Sequence, residues 1–255
     1  MRNVVSGDDN PMRNRNFLPA RMLLLFLCST AWGQTVNFTV GPIPVAHKVP
    51  LTEALSEIGM RVQDGFVSFG VEIRAPEPVV ELYVPEKASL KLVVRGLVSQ
   101  VPGYTSAIVS DHLIDIYPAS TESDQNHPLN LRVAKIHLGE ISAMNLFANP
   151  GQYVPELKVW QQKDKSPQLC GNIGPGLNSM SSALIHLDLD DVTLKQVLDA
   201  AAIADSTLRD VAATRNQPPV GWVLRSNVDP ATGKIQWDWS FSATVPRNWR
   251  TLAAQ

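Results

Sequence analysis

The stretch from Leu184 to Ala202, "LIHLDLDDVTLKQVLDAAA", decides how the chain is read. It begins with a histidine and three aspartates in close order, His186, Asp188, Asp190 and Asp191, which have the look of metal or acid–base ligands. Period two puts His186, Asp188 and Asp190 on one side of a strand and Ile185, Leu187 and Leu189 on the other. Successive residues on one face stand about 7 Å apart, too far for all three to reach one ion without a bend. The plainer reading is a solvated strand face backed by a core face. Asp190 and Asp191 precede Thr193, where the positive end of a helix dipole favours carboxylates. Thr193 and Gln196 have the spacing of a capping box. The stretch therefore predicts a strand running into a helix, with no metal ligands.

Downstream, "VGWVLRSN" and "IQWDWSF" are two further strands, joined by "VDPATGK" with its turn residues Asp229, Pro230 and Gly233. Upstream, "NPGQYVPELKVWQQKDKSPQLCGNIGPGLNSMSS" is poor in pattern and predicts a long loop over 149–181, with a strand around Leu157 to Trp160 as its one ordered candidate. Before it, "LNLRVAKIHL" is a strand, followed by a weak helical stretch from Ile141 to Phe147. Residues 119–130 form a polar linker with no apolar face.

The first half shows the same alternation. "QTVNFTV" is a strand and "GPIPVAHKVP" a Pro-rich lead-in. "LTEALSEIGMRV" places Leu51, Ala54, Leu55, Ile58 and Val62 on one helical face. "FVSFGVEI" and "VVELYV" are strands, and "SLKLVVRGLVSQV" is a second amphipathic helix with Ser89 as its N-cap. "YTSAIV" and "LIDIYP" close a hairpin around Ser110, Asp111 and His112.

The two halves share an order of features. In each a small residue or valine (Ala88, Val192) and a hydroxyl residue (Ser89, Thr193) precede Leu-Lys (Leu90-Lys91, Leu194-Lys195) and an apolar helix. Gly plus an aromatic residue (Gly103-Tyr104, Gly221-Trp222) then opens a hairpin. This predicts two copies of one supersecondary unit. The first copy resembles the STN domain, the short domain at the N-terminus of secretins and some TonB-dependent receptors. Pro50-Leu51, Ala54-Leu55 and Ile58 match its first helix; Ala88, Ser89, Leu90 and Val94 match its second; Gly103-Tyr104 through Ile116 match its closing hairpin. The resemblance covers residues 42–118 and, as a partial repeat, the second half. It implies a periplasmic interaction module without catalysis, whose partner is an envelope protein of a secretion or TonB system. No secretin channel or receptor barrel, which needs many long amphipathic strands, is expected to follow.

Composition sets the outer bounds. The chain has 255 residues, 44% of them hydrophobic and 18% charged, enough to bury a core. The net charge of −2 gives no electrostatic reason to expect nucleic acid. Arg13, Arg15 and Arg21, the apolar run Met22 to Leu27 and the small-x-small triplet Ala31-Trp32-Gly33 form a secretory signal pattern over 12–33, with Gln34 as the first mature residue. Met12 is an alternative start, because 1–11 is a polar extension. The apolar run is too short to span a bilayer comfortably, so no transmembrane segment is expected after cleavage. Localisation is thus periplasmic or secreted. Cys28 leaves with the signal, and Cys170 then has no partner within the chain.

His47, His112, His127 and His137 are scattered, none with a zinc-motif partner. "GNIGPG", Gly171 to Gly176, lacks the Lys-Ser/Thr of a phosphate loop, and "NFT" at Asn37 matches a glycosylation acceptor, which means little in the bacterial setting that the STN resemblance implies. Trp222, Trp237, Trp239 and Trp249 cluster late and favour core packing. The rival they leave open is an exported glycan-binding protein or hydrolase that uses a Trp-rich C-terminal sheet. The sequence therefore predicts an α+β fold of two small β-α-β-β type units, an STN-like domain over 34–118 and a related αβ unit over 131–255, preceded by a signal peptide. No catalytic, cofactor-binding or metal residue is expected.

Overall fold

Alternation is strongest in Ser68–Arg74, where Phe69, Val71 and Ile73 point one way and Ser68, Gly70 and Glu72 the other, both sets buried. This strand lies inside the main sheet of a computed structural model that describes residues 38–63, 65–164, 168–170, 184–211 and 220–243. The elements of the first half are β1 (Thr39–Val40), β2 (Ile43–Pro50), α1 (Leu51–Met60), β3 (Val62–Gln63), β4 (Ser68–Arg74), β5 (Val79–Val84), β6 (Ala88–Ser89), α2 (Leu90–Val98), β7 (Tyr104–Ser110) and β8 (Leu113–Pro118). Two 3-10 turns, Ala119–Ser123 and Pro128–Asn130, lead on. Then come β9 (Arg132–Ser142), α3 (Ala143–Ala148), α4 (Pro150–Tyr153), α5 (Pro155–Asp164), β10 (Gln168–Cys170), β11 (Leu184–Thr193), α6 (Leu194–Val211), β12 (Val220–Val228) and β13 (Ile235–Ala243).

Six strands form the main sheet, in the order β10-β13-β12-β4-β8-β7. The hairpins β7–β8 and β12–β13 are antiparallel, while β4 runs parallel to β8 on one side and to β12 on the other. Val71 pairs with Val223, so the seam of the sheet joins the two halves of the chain. Two antiparallel ribbons flank it, β2 with β5 and β9 with β11. Strands β3, β1 and β6 make a small fourth sheet.

The helices divide between the two faces. On one, α1 and α2 pack Leu55, Ile58, Val94 and Leu97 against Phe69, Val71, Ile114 and Ile116. On the other, α3 and α6 pack Leu146, Phe147, Leu198 and Ala201 against Leu113, Trp222 and Leu224. Each core takes in its own ribbon, Val80 and Leu82 in the first and Ile136 and Ile185 in the second.

Helix starts are set by a local motif in one case and by remote groups in others. In α6 the capping box forms: Thr193 N–H donates to Gln196 Oε1 (2.8 Å), and Gln196 N–H donates to Thr193 Oγ1 (3.2 Å). In α1 a remote carboxylate caps the helix, Glu77 Oε1 accepting from the N–H and hydroxyl of Thr52 (2.9 and 2.5 Å). Ser89 does not cap α2 as expected; its side chain makes no such bond, and Leu90 N–H donates instead to the Phe38 carbonyl (2.9 Å).

Several expectations are corrected. The stretch 119–130 is packed structure and not a bare linker: Thr121, His127 and Leu129 are buried, Leu129 within the second core. Its polar residues satisfy one another and the sheet, which a reading for apolar periodicity cannot see. The 149–181 loop is helical over 150–153 and 155–164 and extended over 168–170. Pro150 and Pro155 stand at helix starts, where a missing N–H costs nothing. The strand expected at Leu157 to Trp160 lies inside α5. The Pro-rich lead-in is strand β2, an edge position that tolerates proline. The expected α+β units share one sheet, and the described residues belong to one compact body. The signal pattern over 12–33, Asn37, "GNIGPG" and Trp249 lie outside the described residues.

Candidate functional site

The opening aspartates sit where alternation put them. His186, Asp188 and Asp190 are exposed along β11, while Ile185 and Leu187 are buried. Across the ribbon they meet β9: Asp190 is 3.7 Å from Lys135, Asp188 is 3.6 Å from His137, and Asp191 pairs with Arg132. The rings of His137 and His186 meet edge to face at 5.1 Å. No group of three or more His, Cys, Asp or Glu side chains among the described residues is arranged to hold a metal. His47 contacts Glu57 (3.0 Å), and His112 bonds the Phe66 carbonyl (3.1 Å). Trp222, Trp237 and Trp239 are buried in the second core, so they offer no aromatic platform to a glycan.

A buried polar layer between the sheet and α6 went unrecognised in the sequence. Asp115, at the middle of β8, is wholly buried and takes a bond from Lys195 Nζ at the start of α6. Lys195 also reaches Asp199, one turn on (2.9 Å), and lies 5.5 Å from the centre of the Tyr117 ring. The other oxygen of Asp199 accepts from the Trp222 indole N–H (2.9 Å). Next to this group Glu72 accepts from Thr121 (2.7 Å) and contacts His127 (3.2 Å), and Ser68 bonds Ser206 of α6 (2.6 Å). Gly70 is required beside them, because a Cβ there would overlap Asp115 Oδ1 and the Trp222 ring.

Burial, and then the nearby Asp199 charge, push the Asp115 carboxyl well above the usual range. Asp199 is raised too, mainly by burial, with Lys195 opposing. Burial works against the Lys195 charge, but the two carboxylates outweigh it and hold the amine above its ordinary value. An amine held in this way is protonated at neutral pH and is not a nucleophile. The layer therefore fastens α6 to the sheet. A lone Asp inside the otherwise apolar "LIDIYP" was the available signal.

The other candidate is an edge. An exposed strand edge invites pairing unless charges, prolines, bulges or a covering group block it. On β5, Gln100 does so: its Oε1 accepts from Glu81 N–H (2.8 Å) and its Nε2 donates to the Glu81 carbonyl (3.0 Å). Strand β2 carries Pro44, Lys48 and Pro50, and the β9–β11 ribbon carries exposed Lys135, Asp188 and Asp190. Strand β7, "YTSAIVS", ends the six-stranded sheet with no charge and no proline, and its ladder is irregular only beyond Ile108. Tyr104 N–H turns away from β8 to the Val101 carbonyl (3.2 Å). By the alternation of an antiparallel ladder, the N–H and C=O of Ser106 and Ile108 then face outward as well.

Between β7 and α2 runs a groove of about 410 Å3. Val94, Val98, Ile108 and Ile114 make its apolar floor. Lys91 and Arg95, one turn apart on α2, stand exposed at its rim, and neither joins an ion pair among the described residues. The sequence could not reveal this edge, because only the strand order makes β7 terminal. Compared with known proteins, the chain matches no family model, no curated protein and no solved structure.

Proposed function

We propose that the chain is an exported, non-catalytic protein-interaction module of the cell envelope, and that it takes an extended segment of a partner along β7. The observation that carries this reading is the β7 edge, left unpaired by the described residues beside an apolar groove, in a molecule whose β5 edge is covered. Strand addition draws affinity from main-chain hydrogen bonds and specificity from adjoining pockets, and this edge supplies both. The secretory pattern over 12–33 supports export, and the STN resemblance over 42–118 supports an envelope partner from a secretion or TonB system.

The strand order also fits the proposal that the two halves are copies of one unit. In each, an antiparallel ribbon (β2–β5, β9–β11) precedes a helix (α2, α6) and a hairpin whose second strand takes a parallel neighbour (β4 on β8, β10 on β13).

Affinity capture from a bacterial envelope extract, using the full chain and its Ser106→Pro variant, tests the function. Proline at Ser106 removes an outward donor while leaving the β8 ladder in place. An envelope protein recovered by the parent chain and lost with the folded variant is the expected result. Equal recovery by both, or retention on peptidoglycan with no protein partner, would overturn the proposal.

A further inference from the structure

We infer that the segment β7 accepts is acidic: an extended stretch of a partner protein whose α2-facing side chains are aspartate or glutamate. The inference rests on the strand-addition reading and adds the chemistry of the occupant. A strand laid against Ser106 and Ile108 sends every second side chain toward α2. There it meets the apolar floor of Val94 and Val98 and, above it, Lys91 and Arg95. A glutamate suits both, since its methylene stem covers apolar surface while its carboxylate reaches the rim. The α2 sequence "LKLVVRGLV" has no acidic residue and β7 has no charge at all, so nothing in either element offsets the two cations.

The same charges argue against a second copy of this chain. Antiparallel pairing of two β7 edges around a two-fold axis sets the same face of each copy side by side. Lys91 and Arg95 of one copy would then face Lys91 and Arg95 of the other, and like charges in such a position are destabilising. A lysine-bearing strand meets the same objection.

Two fluorescein-labelled ten-residue peptides provide the test, one alternating threonine with glutamate and one alternating threonine with lysine. Each is titrated into the full chain by anisotropy, with amide exchange followed at Ser106 and Ile108. The glutamate peptide should bind at least tenfold more tightly, slow exchange at both amides, and weaken as salt rises, because exposed charges are screened. Lys91→Glu with Arg95→Glu, both on exposed positions, should reverse the preference. If the two peptides bind equally, or the double variant keeps the glutamate preference, the acidic occupant is overturned and strand addition stands. If neither peptide protects Ser106 or Ile108, the inference fails with its premise. Sedimentation of the chain alone should give a monomer; a dimer abolished by Ser106→Pro would identify a second copy as the occupant and overturn the proposal.

Discussion

On one face of β4, Phe69, Val71 and Ile73 lie in an apolar core with side chains from α1, α2 and the β2–β5 ribbon. On the other, one residue along in each case, Ser68 meets Ser206, Gly70 makes room for Asp115 and Trp222, and Glu72 meets Thr121 and His127. A single strand thus serves two kinds of interior. The apolar face gains from burial wherever shapes fit, and it tolerates adjustment. The polar face gains little from each contact but loses heavily when one partner is removed, because a buried group is left unpaired. The first kind of interior supplies stability, and the second ties α6 to one position over the sheet.

Four measurements would break or sharpen this contrast. The largest effect is expected from Lys195→Met, which strands Asp115 and Asp199 together without a cation. Urea unfolding should show a loss of about 3–5 kcal/mol. Leu55→Ala, in the apolar core under α1, should cost about 2–4 kcal/mol by leaving a cavity. If the apolar substitution proves much the more costly, the contrast is wrong.

The third measurement concerns pH. Asp115 is raised in the folded chain, so between its ordinary and its raised value the folded state holds a proton that the unfolded state has released. Its contribution is therefore present at acidic pH and lost as pH rises through the raised value. Unfolding of the parent chain and Asp115→Asn should diverge over that window, the parent falling relative to the variant. A constant difference across pH would show that Asp115 stays ionised throughout. The smallest effect is Ser68→Ala, about 1 kcal/mol, with Ser206→Ala added on top restoring part of it by removing the stranded hydroxyl.

The sequence carried short-range order well. The alternation of "LIHLDLDD", the capping box at Thr193 and Gln196, and both closing hairpins all formed, because period and turn chemistry are settled within a few residues. It failed where distant partners decide. Helix α5 has Leu157 in the core and Trp160 packed against it, too few apolar positions to show a period. The cap of α1 comes from Glu77, well beyond the reach of a local motif. The linker reading failed because His127 and Thr121 are explained only by Glu72. The edge at β7 is no property of "YTSAIVS"; it follows from the position of β8, with no strand beyond β7 among the described residues.

The parallel pairing of β4 with β12 has a kinetic consequence. Val71 is among the earlier sheet residues to be made and Val223 among the last. Closing so long a loop adds little to the entropy cost, which grows only logarithmically with length. Contacts of such separation nevertheless slow folding, because most of the chain must be ordered before they form. Until β12 arrives, one whole edge of β4 is open, with Phe69 and Val71 beside the notch at Gly70. A partly made chain thus presents an open strand edge on β4 that the finished molecule covers. The interval between the appearance of β4 and the arrival of β12 is when this protein is most exposed to aggregation and most in need of a chaperone.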